Sequence, residues 1–379
     1  MLDRQRIYRL LLQALPAPGY VKGQTGMARE VAAILSRHRA AGASVAFFSG
    51  DDTPLCLCVG TAGQMGPVTQ DTFFRVASIS KMITALCVLR LAQDGLISLD
   101  RDINAVLPFA VRHPQFPNTL ITLRMLLSHT SGLMDAPAYH QGVGSRVPVS
   151  AIIPACWGEH APGTSWEYSN LGAGLVASVL EAALDQSFER IMRIHLFDVL
   201  GVEASFYPQR IPGALADAYR VIPPWGKSGF DARERKKRPA GDADIPQPER
   251  HYGLAQGNCI TDMAGMLVLL KAAMQPGYLD APMIAAMRSP LVSFGKRSPY
   301  MQQGMGLFVI DEPGICAHTL YGHQGNAYGA MHGAFFDPIA GRGMVLLTSA
   351  ASEAKTSFLS DINRDLMRLC FSSKGSFYD

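Results

Sequence analysis

The period of the apolar residues changes several times along this chain. Residues 27–40 place Val31, Ile34 and Leu35 at i, i+3 and i+4, the spacing of an amphipathic helix. Two β-branched and aromatic runs follow, 43–49 and 55–61, separated by Gly50-Asp51-Asp52, and together they predict a hairpin. Residues 73–76 predict an extended segment. The pattern then turns helical, with Ile79, Met82, Ile83 and Leu86 on one face until Gly95, so Ser78 falls at a helix start. Helical patterns dominate as far as about residue 275, at 123–128, 173–184, 188–200 and 262–274, joined by Pro- and Gly-rich loops. Short apolar runs bounded by glycine return at 305–310, 333–337 and 343–349, and 357–370 predicts a closing amphipathic helix. This order predicts an α/β sandwich whose sheet is assembled from both ends of the chain around a large, mostly helical insert. We expect a discontinuous α/β domain over 1–75 and 255–379 and a helical domain over 76–254.

Composition narrows the function classes. With 379 residues, 48% hydrophobic and 17% charged, the chain buries enough apolar surface to offset its conformational entropy, which excludes global disorder. Its 34 basic and 31 acidic residues leave a net charge of +3, too balanced for a dedicated nucleic-acid or polybasic membrane protein. A small or neutral partner is the expectation. The seven cysteines lack paired C-x-x-C spacing and read as buried free thiols; Cys56 and Cys58 fall on one face of a strand. The apolar run Leu10-Leu11-Leu12 is too short for a secretory core, and no stretch approaches the roughly 20 apolar residues of a membrane span. A cytoplasmic protein is the expectation. Residues 227–251 break all periodicity: the charged run Arg233 to Arg238 is followed by Pro239, Pro246 and Pro248, and we expect a solvated loop.

Several common catalytic motifs are missing. There is no G-x-S-x-G elbow, no H-E-x-x-H helix and no phosphate-binding G-x-x-x-x-G-K-[ST]. The ten histidines have no ligand spacing, so no metal and no cofactor is expected. Gly172-Ala173-Gly174-Leu175-Val176-Ala177 matches a dinucleotide fingerprint but follows a loop rather than a strand, and reads as small residues in a closely packed helix. What remains is S-x-x-K, which puts a serine and a lysine on one helix face, where a desolvated amine helps remove the serine proton. It occurs at Ser78-Ile79-Ser80-Lys81, Ser293 to Lys296 and Ser352 to Lys355; only Ser78 has an extended segment before it and a helix after it. Tyr168-Ser169-Asn170 is the one Y-x-N in the chain. The third element, K-[ST]-G or H-x-G on a strand, has candidates at Lys227, His140, His251 and His323, and only His323-Gln324-Gly325 lies among predicted strands.

These three motifs, in this order, resemble the penicillin-recognising serine hydrolases, in the branch uniting class C β-lactamases, D-amino-acid peptidases and β-lactamase-like esterases. The resemblance spans residues 26–372 and extends to Phe74 to Lys81, Leu126-Leu127-Ser128-His129-Thr130-Ser131-Gly132-Leu133 and Leu200-Gly201-Val202. It implies an antiparallel sheet flanked by helices, an acyl-enzyme on Ser78 formed from a small-molecule ester, amide or short peptide substrate, and a cleft that the 227–251 loop borders. Lys81 and Tyr168 form the coupled proton-transfer pair, with the base among them left open. Asn170 would bind Lys81 and substrate, His323 and Gly325 would edge the site, and the backbone N–H groups of Ser78 and Asn326 would form the oxyanion hole. His323 departs from the lysine of β-lactamases and carboxypeptidases, which points instead to esterases and aminopeptidases. The rivals are a β-lactamase or D-Ala-D-Ala carboxypeptidase, and a non-catalytic binding protein retaining the fold.

Overall fold

Strands from both ends of the chain meet in one sheet. The computed structural model describes residues 26–143, 147–221 and 243–372. After helix α1 (Gly26–Arg37) come β1 (Gly42–Ser49) and β2 (Leu55–Gly60), then the short β3 (Phe74–Arg75) and helix α2 (Ile79–Gln93). Helix α3 (Asn170–Leu184), strands β4 (Ala204–Ser205) and β5 (Ile260–Thr261), and helices α4 (Met263–Met274) and α5 (Ala281–Arg288) follow. The chain closes with β6 (Val292–Ser293), β7 (Met301–Gln303), β8 (Phe308–Ile310), β9 (Leu320–Ala327), β10 (Ala330–Asp337), β11 (Arg342–Ala350) and helix α6 (Asp361–Ser372). Eight of these strands form an antiparallel sheet in the order β2-β1-β11-β10-β9-β8-β7-β6, and β3-β5-β4 form a small second sheet.

Strand periodicity divides the large sheet between two cores. Val45, Phe47, Met344 and Leu346 pack beneath α1 and α6, against Val31, Leu35, Ile362 and Leu366. The alternate positions Ala46, Phe48, Val345 and Leu347 face the other way, toward α2 and α4. With both faces covered, β1 and β11 are apolar almost throughout instead of alternating. Helix α2 falls where the helical period predicts it, and its burial goes beyond one face. From Ile79 to Leu89 every residue is buried, because the helix runs between the sheet and the helical region and has no solvent face. Other differences lie at the ends of elements. The last helix starts at Asp361, leaving 357–360 as loop, and α3 starts three residues early because the Ser169 hydroxyl caps it by accepting from Gly172 N–H. All seven cysteines are free thiols. Of the charged segment 227–251, residues 227–242 lie outside the described residues; its last part is tied to α3, where Glu181 accepts from the Gln247 N–H at 2.7 Å.

The glycine fingerprint in α3 does serve close packing. A Cβ on Gly174 would stand 1.7 Å from the Tyr252 carbonyl oxygen. Helix propensity alone would make Gly174→Ala stabilising by about 1 kcal/mol. We expect the opposite sign, a loss of about 1–3 kcal/mol from overpacking, read from the midpoint of a urea transition against the wild-type chain.

Candidate active site

Ser78 stands where the chain leaves β3 and enters α2, half-exposed while its neighbours Ala77 and Ile79 are buried. Ala77 is held at φ 48°, a left-handed conformation that costs a non-glycine residue energy and persists only where the surroundings enforce it. The surroundings are glycine backbones. A Cβ on Gly325 of β9 would lie 2.3 Å from the Val76 carbonyl oxygen and 3.2 Å from Ala77 Cβ, and one on Gly257 would lie 3.5 Å from the Ala77 carbonyl carbon. Only glycine lets β9 approach this closely. Because β8 pairs with β9 no further than Phe308 opposite Gly322, residues 323–327 are unpaired on that side and open toward Ser78.

Lys81 lies one turn along α2 from Ser78 and is 4% exposed. Its Nζ donates to Ser78 Oγ at 3.1 Å, Asn170 Oδ1 at 2.8 Å and the Gln256 carbonyl at 2.6 Å, and it stands 5.0 Å above the Tyr168 ring. Burial lowers its pKa to about 7, against the upward pull of the Asp135 carboxylate.

Tyr168 and Asn170 are placed by residues that the motif reading did not single out. Asp135 accepts from the Asn170 side chain at 2.7 Å, from the backbone N–H groups of Asn170 and Leu171 at 3.0 and 2.9 Å, and from Ser169 Oγ at 3.3 Å. Asn170 therefore has no choice of amide orientation: Nδ2 donates to Asp135 and Oδ1 faces Lys81. His129, itself at φ 57°, accepts from Glu167 N–H through its carbonyl at 2.8 Å and from Ser169 N–H through Nδ1 at 3.2 Å. Its ring lies 4.4 Å from that of Tyr168. Burial, and then the nearby Lys81 charge, hold the His129 pKa well below the ordinary value, so the imidazole is neutral. The Tyr168 phenol is pushed upward by burial, with a hydrogen bond to Ser78 pulling the other way. Gln256, which presents its backbone to Lys81, is fixed through its side chain by the Tyr139 hydroxyl. His129 sits inside the Leu126 to Leu133 phrase, and Asp135 is an acid isolated between apolar neighbours; that isolation was the one local signal for it.

The third motif also converges on Ser78. His323 is 1% exposed, and its Nδ1 lies 2.6 Å from the Gln324 carbonyl. A carbonyl only accepts, so Nδ1 carries the proton and Nε2 presents a lone pair, with no hydrogen-bond partner among the described residues. Burial and the Lys81 charge lower the His323 pKa to about 3, so the ring is neutral at physiological pH. Asn326 follows on the same strand; its amide, oriented by its neighbours, donates to the Gly325 carbonyl at 3.0 Å and accepts from Lys355 Nζ at 3.1 Å. The structure thus gathers Ser78, Lys81, Tyr168, Asn170, His323 and Gly325 at one place. The competing motifs fall elsewhere: His140 in a helical turn, His251 bonded to Glu181 at 2.6 Å, and Ser293 on the outermost strand β6. Lys227 lies outside the described residues. Away from this site, Cys316, His318 and Asp337 bring metal-ligating atoms within 4.8 Å of one another, and a 2.9 Å hydrogen bond from His318 Nδ1 to Asp337 is part of that arrangement.

Among the described residues, no helix is long and apolar enough to cross a membrane. Esterase EstB of Burkholderia gladioli is 27% identical over 342 residues, covering 79% of this chain and 83% of the esterase. Penicillin-binding protein 4 of Amycolatopsis lactamdurans is 26% identical over 349 residues, covering 88% and 87%. A D-stereospecific amidohydrolase from Streptomyces superimposes with a TM-score of 0.70 at 21% identity, over 91% of this chain and 99% of that one. The hydrolase EstCE1 does so with 0.71 at 20% identity, over 91% and 98%. The beta-lactamase family model matches residues 27–366, nearly the whole described chain, and the protein belongs to that family.

Proposed function

We propose that this chain hydrolyses an ester or amide through an acyl-enzyme on Ser78. The observation that carries the reading is the Lys81 amine, buried, 3.1 Å from Ser78 Oγ, with its pKa lowered to about 7. When neutral, it has two N–H donors for the fixed acceptors Asn170 Oδ1 and Gln256 O, which leaves its lone pair directed at the Ser78 hydroxyl. Burial holds Tyr168 as a neutral phenol, so it is the acid of the pair and Lys81 is the base. Lys81 takes the Ser78 proton as Oγ bonds to the substrate carbonyl carbon. The oxyanion is received by the backbone N–H groups of Ser78 and Asn326, each such donor supplying about 2.7–4 kcal/mol. Tyr168 protonates the departing alcohol or amine and recovers a proton from Lys81. Water then enters by the reverse route and releases the acid. The relatives include a named esterase and a named penicillin-binding protein. The neutral His323 favours the esterase side, because it offers no charge to a substrate carboxylate.

Three outcomes are expected. A fluorophosphonate labels the wild type but not Ser78→Ala; labelling that persists in the variant removes Ser78 as nucleophile. Below a pH of about 7 the Lys81 lone pair is occupied by a proton, so kcat/KM for a short-chain nitrophenyl ester rises with pH through about 7 and then levels. A flat profile between pH 5 and 9 contradicts the assigned base. The same ester is turned over while a chromogenic cephalosporin is not, and comparable rates on both would favour the β-lactamase alternative.

A further inference from the structure

Beside Tyr168 and His323 the chain assembles a wall of aromatic rings from separate segments. Trp166 stacks on Phe294 at 3.8 Å and 19°. Phe358, in the loop before α6, meets both edge-on at 5.8 and 4.9 Å. Phe308 closes the group, 5.7 Å from Phe294, and stacks on His323 at 4.1 Å. The wall continues into the catalytic motifs, with Trp166 6.3 Å from the Tyr168 ring.

Two features distinguish this cluster from ordinary core. Trp166, Phe294 and Phe358 each remain half-exposed although they interlock, so the apolar surface they present is available to a ligand. The surface is also rigidly mounted. Trp166 Nε1 donates to Gln303 Oε1 at 3.3 Å, and the fully buried Gln303 spends its own amide on the Gly304 and Leu307 carbonyls at 3.0 and 2.9 Å.

Position assigns the wall to one half of the substrate. The wall adjoins Tyr168, with Trp166 6.3 Å from its ring, and Tyr168 protonates the group that departs. Charge then narrows the ligand. Ring faces carry negative quadrupole density, and the unpartnered His323 Nε2 is a lone pair, so both disfavour a carboxylate and favour an apolar body with at most a hydrogen-bond donor. The nearest lysine on the same loop as Phe358, Lys355, is turned to Asn326 and lies beside Glu353.

We propose that Trp166, Phe294 and Phe358 form a leaving-group subsite for an uncharged aromatic alcohol or amine. The proposal rests on the acyl-enzyme reading above. It is tested with three butyrate esters whose alcohols differ little in acidity: ethyl, benzyl and 4-carboxybenzyl. For the wild type, kcat/KM for the benzyl ester should exceed that for the ethyl ester by about tenfold or more, and 4-carboxybenzyl should fall about tenfold below benzyl. Phe294→Ala and Phe358→Ala should each lower the benzyl-to-ethyl ratio severalfold; the ratio is taken within one preparation, so a partly folded variant still reports it. Phe294→Lys, which supplies the missing cation, should raise 4-carboxybenzyl relative to benzyl. Equal benzyl and ethyl turnover, ratios unmoved in the alanine variants, or a wild-type preference for 4-carboxybenzyl overturns the subsite. Intact-mass detection of the butyryl adduct separates the two levels. An adduct on Ser78 with no leaving-group preference removes the subsite alone, whereas no adduct from any ester removes the acyl-enzyme reading as well.

Discussion

The candidate site depends on holding an amine inside the protein. An ammonium at the position of Lys81 loses most of its hydration, and the cost would exceed any single hydrogen bond if the group were unpartnered. Three acceptors at 2.6–3.1 Å and the carboxylate of Asp135 behind Asn170 offset that cost in part. The balance leaves both protonation states accessible near neutrality, which is the condition for a group that takes and returns a proton. Each acceptor has its own support. Asn170 is held by Asp135, and Gln256 O belongs to the segment whose Tyr252 carbonyl seats directly on Gly174 of α3. A small-residue stripe in a helix thus bears on the basicity of a lysine in a different helix.

The second constraint is steric. Ser78 is presented by a residue in a strained conformation, and nothing within residues 77–81 enforces it. The enforcement comes from β9 and from the 251–259 segment, each meeting the Val76-Ala77 backbone through a glycine. The sheet edge is open there because β8 stops opposite Gly322. One local feature of strand length therefore exposes the 323–327 backbone and brings it to the nucleophile.

These two constraints explain what was legible in the sequence. Long apolar runs with a clear period, such as α1, β1 and β11, were readable because burial against the sheet dictates both period and length. The motifs at Ser78, Tyr168 and His323 stand out because residue type and local context single them out together, and the structure brings the three to one place. Positioning residues were not. Asp135 acts through four donors 34 to 36 residues further along the chain, and a lone aspartate is indistinguishable in sequence from a surface one. His129 falls inside a recognised phrase, yet its role lies in a left-handed backbone that no residue type announces. The two- and three-residue strands β6 and β7 are too short to show any period, and the burial of α2 on all sides comes from tertiary packing that its spacing of apolar residues does not announce. Phe358 was assigned to a helix one turn too early, which hid its place at the site.

The neutrality of His323 follows from the same electrostatics that govern Lys81. Lys81 and position 323 on β9 are both buried, so a fixed cation at 323 and the Lys81 ammonium would repel more strongly than in solvent. Each would depress the other's pKa. With an imidazole in that place, the Lys81 charge itself helps keep the ring unprotonated, and position 323 adds no second cation opposite Lys81. The consequence reaches the substrate. A pocket with a cation beside its nucleophile selects by charge; one that offers a lone pair and aromatic faces selects by shape, apolar area and hydrogen-bond donors. Under the proposed function, the identity of one residue on β9 bears on both the proton balance at Ser78 and the kind of molecule that fits beside it.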